Sequence, residues 1–242
     1  MDIGSNGDIY LQHFDYSSKG VLSYLRTNNK AIDVTLSNWI YRTSDKLIFK
    51  FKNAGSHSND WGRFINTADT NILAINYNLW SGRKAINFRR NGTYSGDNAY
   101  LFDSPSNTTK YYQVTLEAGG VEMLSGSERD VYTFTEFASA FGSVSDTDTT
   151  NPILFSPSGT NAVNVDFHEL AVYRNGVLIH DYLPISSGIK DVIDNTVFTV
   201  TDSDVTYGSA LTNDKIFNAY CKVNGAWQPL YETDIDDVNT GG

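Results

Sequence analysis

Four histidines, one cysteine and several Asp-x-Asp pairs are the side chains of this 242-residue chain with the widest chemical range. His168 and His180 lie together in FHELAVYRNGVLIHDYLP, from Phe167 to Pro184, around an Asn175-Gly176 turn signal. Asn and Gly suit a type I′ turn because both central positions need φ > 0. A two-residue loop then pairs Arg174 with Val177, Val172 with Ile179, Leu170 with Asp181 and His168 with Leu183. Directly opposed residues share a face. One face collects Leu170, Val172, Val177, Ile179 and Leu183, and is expected in the core. The other collects Glu169, Ala171, Tyr173, Leu178, His180 and Tyr182. This register puts the two histidines on opposite faces, so they are not expected to share a metal, and each is read as structural. Pro184 is expected to end the ladder, because it has no N–H to donate. Cys221 has no evident His partner and no serine nucleophile elbow is present.

Asp146-Thr147-Asp148 and Asp202-Ser203-Asp204 each bring two carboxylates close together. Hard cations want several oxygens, and neither stretch continues into an EF-hand loop. Both therefore read first as turn aspartates. The aromatics carry the stronger signal for binding. Trp61 in SNDWGRF, Trp80, Tyr94 and Tyr100 are the candidate ligand contacts, able to stack on sugar rings while nearby Asn and Asp fix hydroxyls.

The elements that must hold these groups are strands. LIFKFKN (47–53) alternates Leu47, Phe49 and Phe51 against Ile48, Lys50 and Lys52. KYYQVTLEA (110–118) sets Tyr112, Val114 and Leu116 against Tyr111, Gln113 and Thr115. NILAINYNLW (71–80), KAINFRR (84–90), VEML (121–124) and DVYTFTEF (130–137) also read as strands, and Asn91-Gly92 as a second hairpin turn. No long window has helical periodicity; a short helical turn is expected near 135–141. Short strands between turn signals point to a sandwich or barrel.

The segment VYRNGVLIHDYLP, followed by GIKDVIDNTVFTVTDSDVTYGSAL, resembles the closing part of laminin-G-like (concanavalin A-like) jelly-roll domains. Such domains recur in tail, fibre and capsid-associated proteins of bacteriophages. The opening VLSYLRTNNKAIDVTLSN is similar to the family's first strands through Tyr24 and Ile32-Asp33, although the turn Arg26–Lys30 departs from the usual Ser, Thr and Gly. The resemblance implies an all-β, two-sheet antiparallel jelly roll over residues 21–212. Residues 1–20 are expected to form an arm or edge strand, and 213–242 a short hairpin around Asn224-Gly225 with an acidic tail. Calcium is the cofactor the resemblance implies, with the two Asp-x-Asp pairs as its carboxylates; the residues themselves call for none. Glycanases on this fold would carry Glu-x-Asp-x-Glu on a strand. The nearest run, Glu232-Thr233-Asp234-Ile235-Asp236, lies in the tail, so no catalytic residue is assigned and an enzyme is not expected.

The net charge of −10 excludes a basic nucleic-acid footprint and disfavours anionic membranes. Hydrophobic residues are 40%, enough for a core. MDIGSNGDIY shows no secretory signal, and no window approaches a membrane span. The expectation is a non-enzymatic virion protein, such as a fibre, tail or capsid-decorating component, extracellular after lysis. It would dock on other virion proteins or copies of itself through its arm and hairpin, and display loops at one rim to a host-surface glycan. A bacterial carbohydrate-binding module is the first alternative and a glycan hydrolase the second.

Overall fold

The computed structural model describes residues 9–30, 32–55, 61–69, 73–78, 85–90, 93–94, 100–101, 108–140, 150–156, 162–200, 205–212, 214–223 and 226–230. The strands are β1 (Ile9–Asp15), β2 (Leu25–Arg26), β3 (Val34–Thr35), β4 (Lys46–Asn53), β5 (Trp61–Asn66), β6 (Leu73–Asn78), β7 (Ala85–Arg90), β8 (Thr93–Tyr94), β9 (Tyr100–Leu101) and β10 (Tyr111–Glu117). They continue as β11 (Gly120–Gly126), β12 (Phe134–Ala140), β13 (Ile153–Leu154), β14 (Val165–Arg174), β15 (Val177–Ile185), β16 (Gly188–Asp191), β17 (Val197–Thr199), β18 (Thr206–Tyr207), β19 (Asp214–Val223) and β20 (Ala226–Leu230). The one helix among the described residues is the four-residue turn Tyr16–Lys19. The helical turn expected near 135–141 is strand β12 up to Ala140. No helix among the described residues is long and apolar enough to cross a membrane.

The chain divides into two compact units. Val21–Ala210 forms an all-β, two-sheet antiparallel jelly-roll sandwich. Its larger sheet runs β12-β11-β10-β4-β14-β15-β16-β17, with β2 pairing β14 and β18. The smaller runs β3-β13-β5-β6-β7-β8, with β9 on β7. The second unit, Met1–Gly20 with Leu211–Gly242, contains the sheet β1-β19-β20.

Alternation in β4 and β10 builds the core. Leu47, Phe49 and Phe51, with Tyr112, Val114 and Leu116, are buried on one side of the larger sheet. The smaller sheet meets them with Phe64, Ile65, Leu73, Ile75 and Phe88. Phe64 stands 4.8 Å from Phe51 and 5.8 Å from Phe49, ring centre to ring centre, and so joins the two layers. Each such ring contributes about 1.5–3 kcal/mol by leaving water.

The central hairpin turns at Asn175 (φ 53°) and Gly176 (φ 78°), as a two-residue loop with both positions left-handed requires. Arg174 pairs with Val177. Beyond that pair the register departs from the sequence expectation. Tyr173 faces Leu178 but Val172 faces His180, so Ile179 is the extra residue of a β-bulge. The bulge exchanges the faces of β15. Leu170 and Val172 reach the core as expected, but opposite them stand Tyr182 and His180. Ile179 is only partly buried, and Val177 is 50% exposed. Pro184 does not end the strand. It lies past the last pair with β14, where no donor is needed, faces Ile189 of β16, and its carbonyl accepts from Leu22 N–H.

A Cβ added at Gly176 would meet nothing within 4 Å, so Gly176→Ala tests the turn's backbone alone. The expected cost is about 1 kcal/mol, read from the urea midpoint.

Candidate functional site on the outer face of the larger sheet

The side of the larger sheet that faces away from the core carries the chemistry. Cross-strand register lines up Tyr111 (β10), Lys52 (β4), Asp166 (β14) and Arg26 (β2) in one row. Alternation dictates this, since the neighbours of these residues, Tyr112, Phe51, Phe167 and Leu25, are all buried in the core. The Lys52 ammonium sits 4.6 Å above the Tyr111 ring centre. Arg26 makes a two-pronged bond to Asp166, Nε to Oδ1 at 2.6 Å and Nη2 to Oδ2 at 2.9 Å, and its guanidinium lies 5.1 Å from the Tyr24 ring. Asp166 holds the Arg26 cation further above its usual range, against the opposing effect of burial. Among the described residues Lys52 has no ion-pair partner.

The next row is Gln113, Lys50 and Glu169. Lys50 Nζ lies 3.1 Å from Glu169 Oε2 and 2.7 Å from Asp130 Oδ1. Burial opposes its charge, but Glu169 and then Asp130 outweigh that and raise its pKa. Asp130 comes from a strap, residues 127–133, that joins β11 to β12. The strap turns tightly, with Val131 N–H to Glu128 O and Thr133 N–H to Ser125 O. Gly126 is required at its start, because a Cβ there would collide with the Val131 carbonyl. The strap brings Tyr132 within 5.9 Å of Lys50 Nζ, and burial pushes the Tyr132 hydroxyl's pKa up.

Between the two rows β14 bulges, because Phe167 faces Phe51 while Glu169 faces Lys50. His168 is the extra residue. It leaves the core edge where the simple hairpin register puts it and packs at 5.4 Å from the Tyr111 ring. Its Nδ1 is 2.7 Å from the Ser23 carbonyl, which also accepts from Arg129 Nη1 at 2.9 Å. A carbonyl can only accept, so Nδ1 carries the proton and Nε2 is a bare lone pair. Burial, and then Arg129, pushes the His168 pKa down to about 4. Nε2 is buried without a hydrogen-bond partner among the described residues.

His180 belongs to a different cluster, on the other face, next to Trp39 and Tyr182. Its Nδ1 donates to Asp191 Oδ2 at 2.6 Å. Asp191 also accepts from Asn38 Nδ2 and from the N–H groups of Asp181 and Ile193. Tyr182 donates to Asn38 Oδ1, its hydroxyl kept protonated by burial and then by Asp191. His180, Asp191 and Asp194 each place a ligand atom within 4.8 Å of the others. The Asn38 amide bridges the two carboxylates, at 2.8 Å and 2.9 Å. Asp191 thereby ties β15 to the turn after β16, a structural clasp.

Three of the four aromatics singled out in the sequence lie on the smaller sheet, away from these rows: Trp61 in β5 opposite Asn78, Tyr94 in β8 opposite Arg89 and Tyr100 in β9 opposite Ile86. Trp80, both Asp-x-Asp pairs (146/148 and 202/204) and the acidic tail at 232–236 lie outside the described residues. Tyr111, Lys52, Tyr24 and Arg26 were not singled out. The off-core positions of LIFKFKN and KYYQVTLEA were the available signal for Tyr111 and Lys52.

No protein-family model and no curated protein matches the sequence. Among solved structures, the chain is similar to alginate lyase AlgAT5 from polysaccharide lyase family 7. The identity is 9%, over 56% of this chain and 62% of that one, with a TM-score of 0.29. The chain thus spans less than two thirds of that protein's length. The protein matched is an enzyme, and the expectation that this chain is not one is withdrawn. That expectation rested on a missing carboxylate pair, whereas the outer face carries ionisable groups of other kinds.

Proposed function

We propose that this protein recognises a saccharide along the outer face of its larger sheet, on the row Tyr111–Lys52–Asp166–Arg26. The observation that carries the reading is the row itself. An aromatic ring, a cation without an ion-pair partner among the described residues and a clamped guanidinium–carboxylate pair follow one another across four strands. Strands lie 4.7–4.9 Å apart, so the row is about 14 Å long. Its net charge is a single positive one, Lys52 and Arg26 against Asp166, which suits a ligand rich in hydroxyls more than a polyanion. The ring supplies a stacking surface, Lys52 donates, and Asp166 with Arg26 is already ordered before binding. Paired-carboxylate hydrolysis gains no support here, because Glu169 and Asp130 both spend their charge on Lys50.

The full chain on a glycan array is expected to give saccharide hits, and Tyr111→Ala to weaken the best of them about tenfold. A blank array, or a Tyr111→Ala protein of unchanged affinity, sinks the reading.

The wider proposal places this recognition on a phage particle that displays the sandwich to a host surface. It is supported by the resemblance of the segment from Val172 to Leu211 to phage laminin-G-like domains, and by a terminal sheet in which β1 pairs with β19 and β19 with β20. Other virion proteins or copies of the chain would be the partners of that terminal sheet. Purified particles are expected to contain the chain; particles without it would rule this out.

A further inference from the structure

We infer that the strap 127–133 covers a subsite for one neutral hydrogen-bond donor, a saccharide hydroxyl, whose acceptor is Nε2 of His168. The inference rests on the reading above and deepens it.

His168 is 3% exposed, and its Nε2 finds no donor among the described residues. A buried acceptor left without a donor is costly, of order 1–3 kcal/mol. Packing alone would favour an apolar ring here. Instead β14 bulges at this residue, which aims the imidazole onto the outer face beside Tyr111, the aromatic end of the proposed row. The Ser23 carbonyl pins the proton of the neutral ring on Nδ1, so at neutral pH Nε2 is the acceptor.

The cover is made for polar contact rather than for sealing. Arg129 donates to Ser23 O, Asp130 pairs with Lys50 while 45% of its side chain stays exposed, and Val131 points outward, 49% exposed. Only the Asp130 carboxylate in these bonds is open to water, since the Lys50 and Arg129 side chains are 9% and 15% exposed. The surrounding charges select the occupant. Arg129 and Lys50 repel a cation, and Glu169 and Asp130 repel an anion. A neutral hydroxyl satisfies the lone pair without meeting a like charge.

The test uses the full chain with 15N-labelled histidine at neutral pH, titrated in turn with cello-, xylo-, manno- and maltohexaose. With a hexaose that binds, the Nε2 resonance of His168 is expected to move toward the value of a hydrogen-bonded nitrogen. His168→Phe, which keeps the ring against Tyr111, is expected to bind about tenfold more weakly. Binding that depends on Tyr111 but leaves Nε2 unmoved overturns the subsite and spares the row. No binding by any of the four overturns both. The resonance is read in the unsubstituted protein, so poor folding of the His168→Phe chain cannot mask the answer.

Discussion

Lys50→Met is expected to destabilise the sandwich by about 3–5 kcal/mol, the cost of removing one partner from a buried ion pair. Lys50 is 7% exposed, and the Glu169 side chain it meets at 3.1 Å is 2% exposed. The four-carbon stem has a near equivalent in methionine, so packing is largely kept and the charge is what is lost. The carboxylate of Glu169 then faces β4 without the ammonium that stabilised it, and Asp130 loses the contact that anchors the strap. In a chain of this size the loss corresponds to a fall in Tm of roughly 10 °C. Urea unfolding should show a lower midpoint at unchanged slope. Adding Glu169→Gln should recover part of the loss, because it removes the charge that Lys50 balanced. A single variant within 1 kcal/mol of the parent would mean that water reaches this pair.

The second large effect is in pH. The His168 pKa is about 4 in the folded protein, against 6.5 for an ordinary histidine, with burial as the first cause and Arg129 as the next. The unfolded chain therefore takes up the proton first as pH falls. Stability is full above about pH 6.5, declines as pH falls through that value, and has lost about 3 kcal/mol by pH 4 from this residue alone. Carboxylates titrate in the same window, so the measurement is a comparison. Urea midpoints of the parent and of His168→Gln, taken every half unit from pH 7.5 to 4, should diverge in slope, with the glutamine protein flatter. Parallel curves would show that His168 is protonated as easily in the fold as out of it.

Both effects arise at residues that sequence reading treated as ordinary. Alternation in LIFKFKN and KYYQVTLEA is enough to put Phe49, Phe51, Tyr112 and Val114 inward and Lys50, Lys52 and Tyr111 outward. Asn175-Gly176 suffices to locate the turn, since few other pairs accept two left-handed residues in succession. The two bulges could not be read in this way. An inserted residue at Ile179 and another at His168 each reverse the alternation beyond them, and nothing in a two-residue period marks where a ladder will slip. His168 and His180 accordingly exchanged faces with respect to the simple register.

Composition, strand periodicity and turn chemistry by themselves determined that this protein is built of short strands, as a sandwich or a barrel, because those signals act over a few residues. Which strands lie side by side was decided only by tertiary packing. Tyr111, Lys52, Asp166 and Arg26 are up to 140 positions apart in the chain and become one row through pairing between β10, β4, β14 and β2. Nor do the local residues say that the strap would set Asp130 on Lys50 and Arg129 beside His168, since that contact depends on how a connecting loop folds back over a sheet assembled from distant segments.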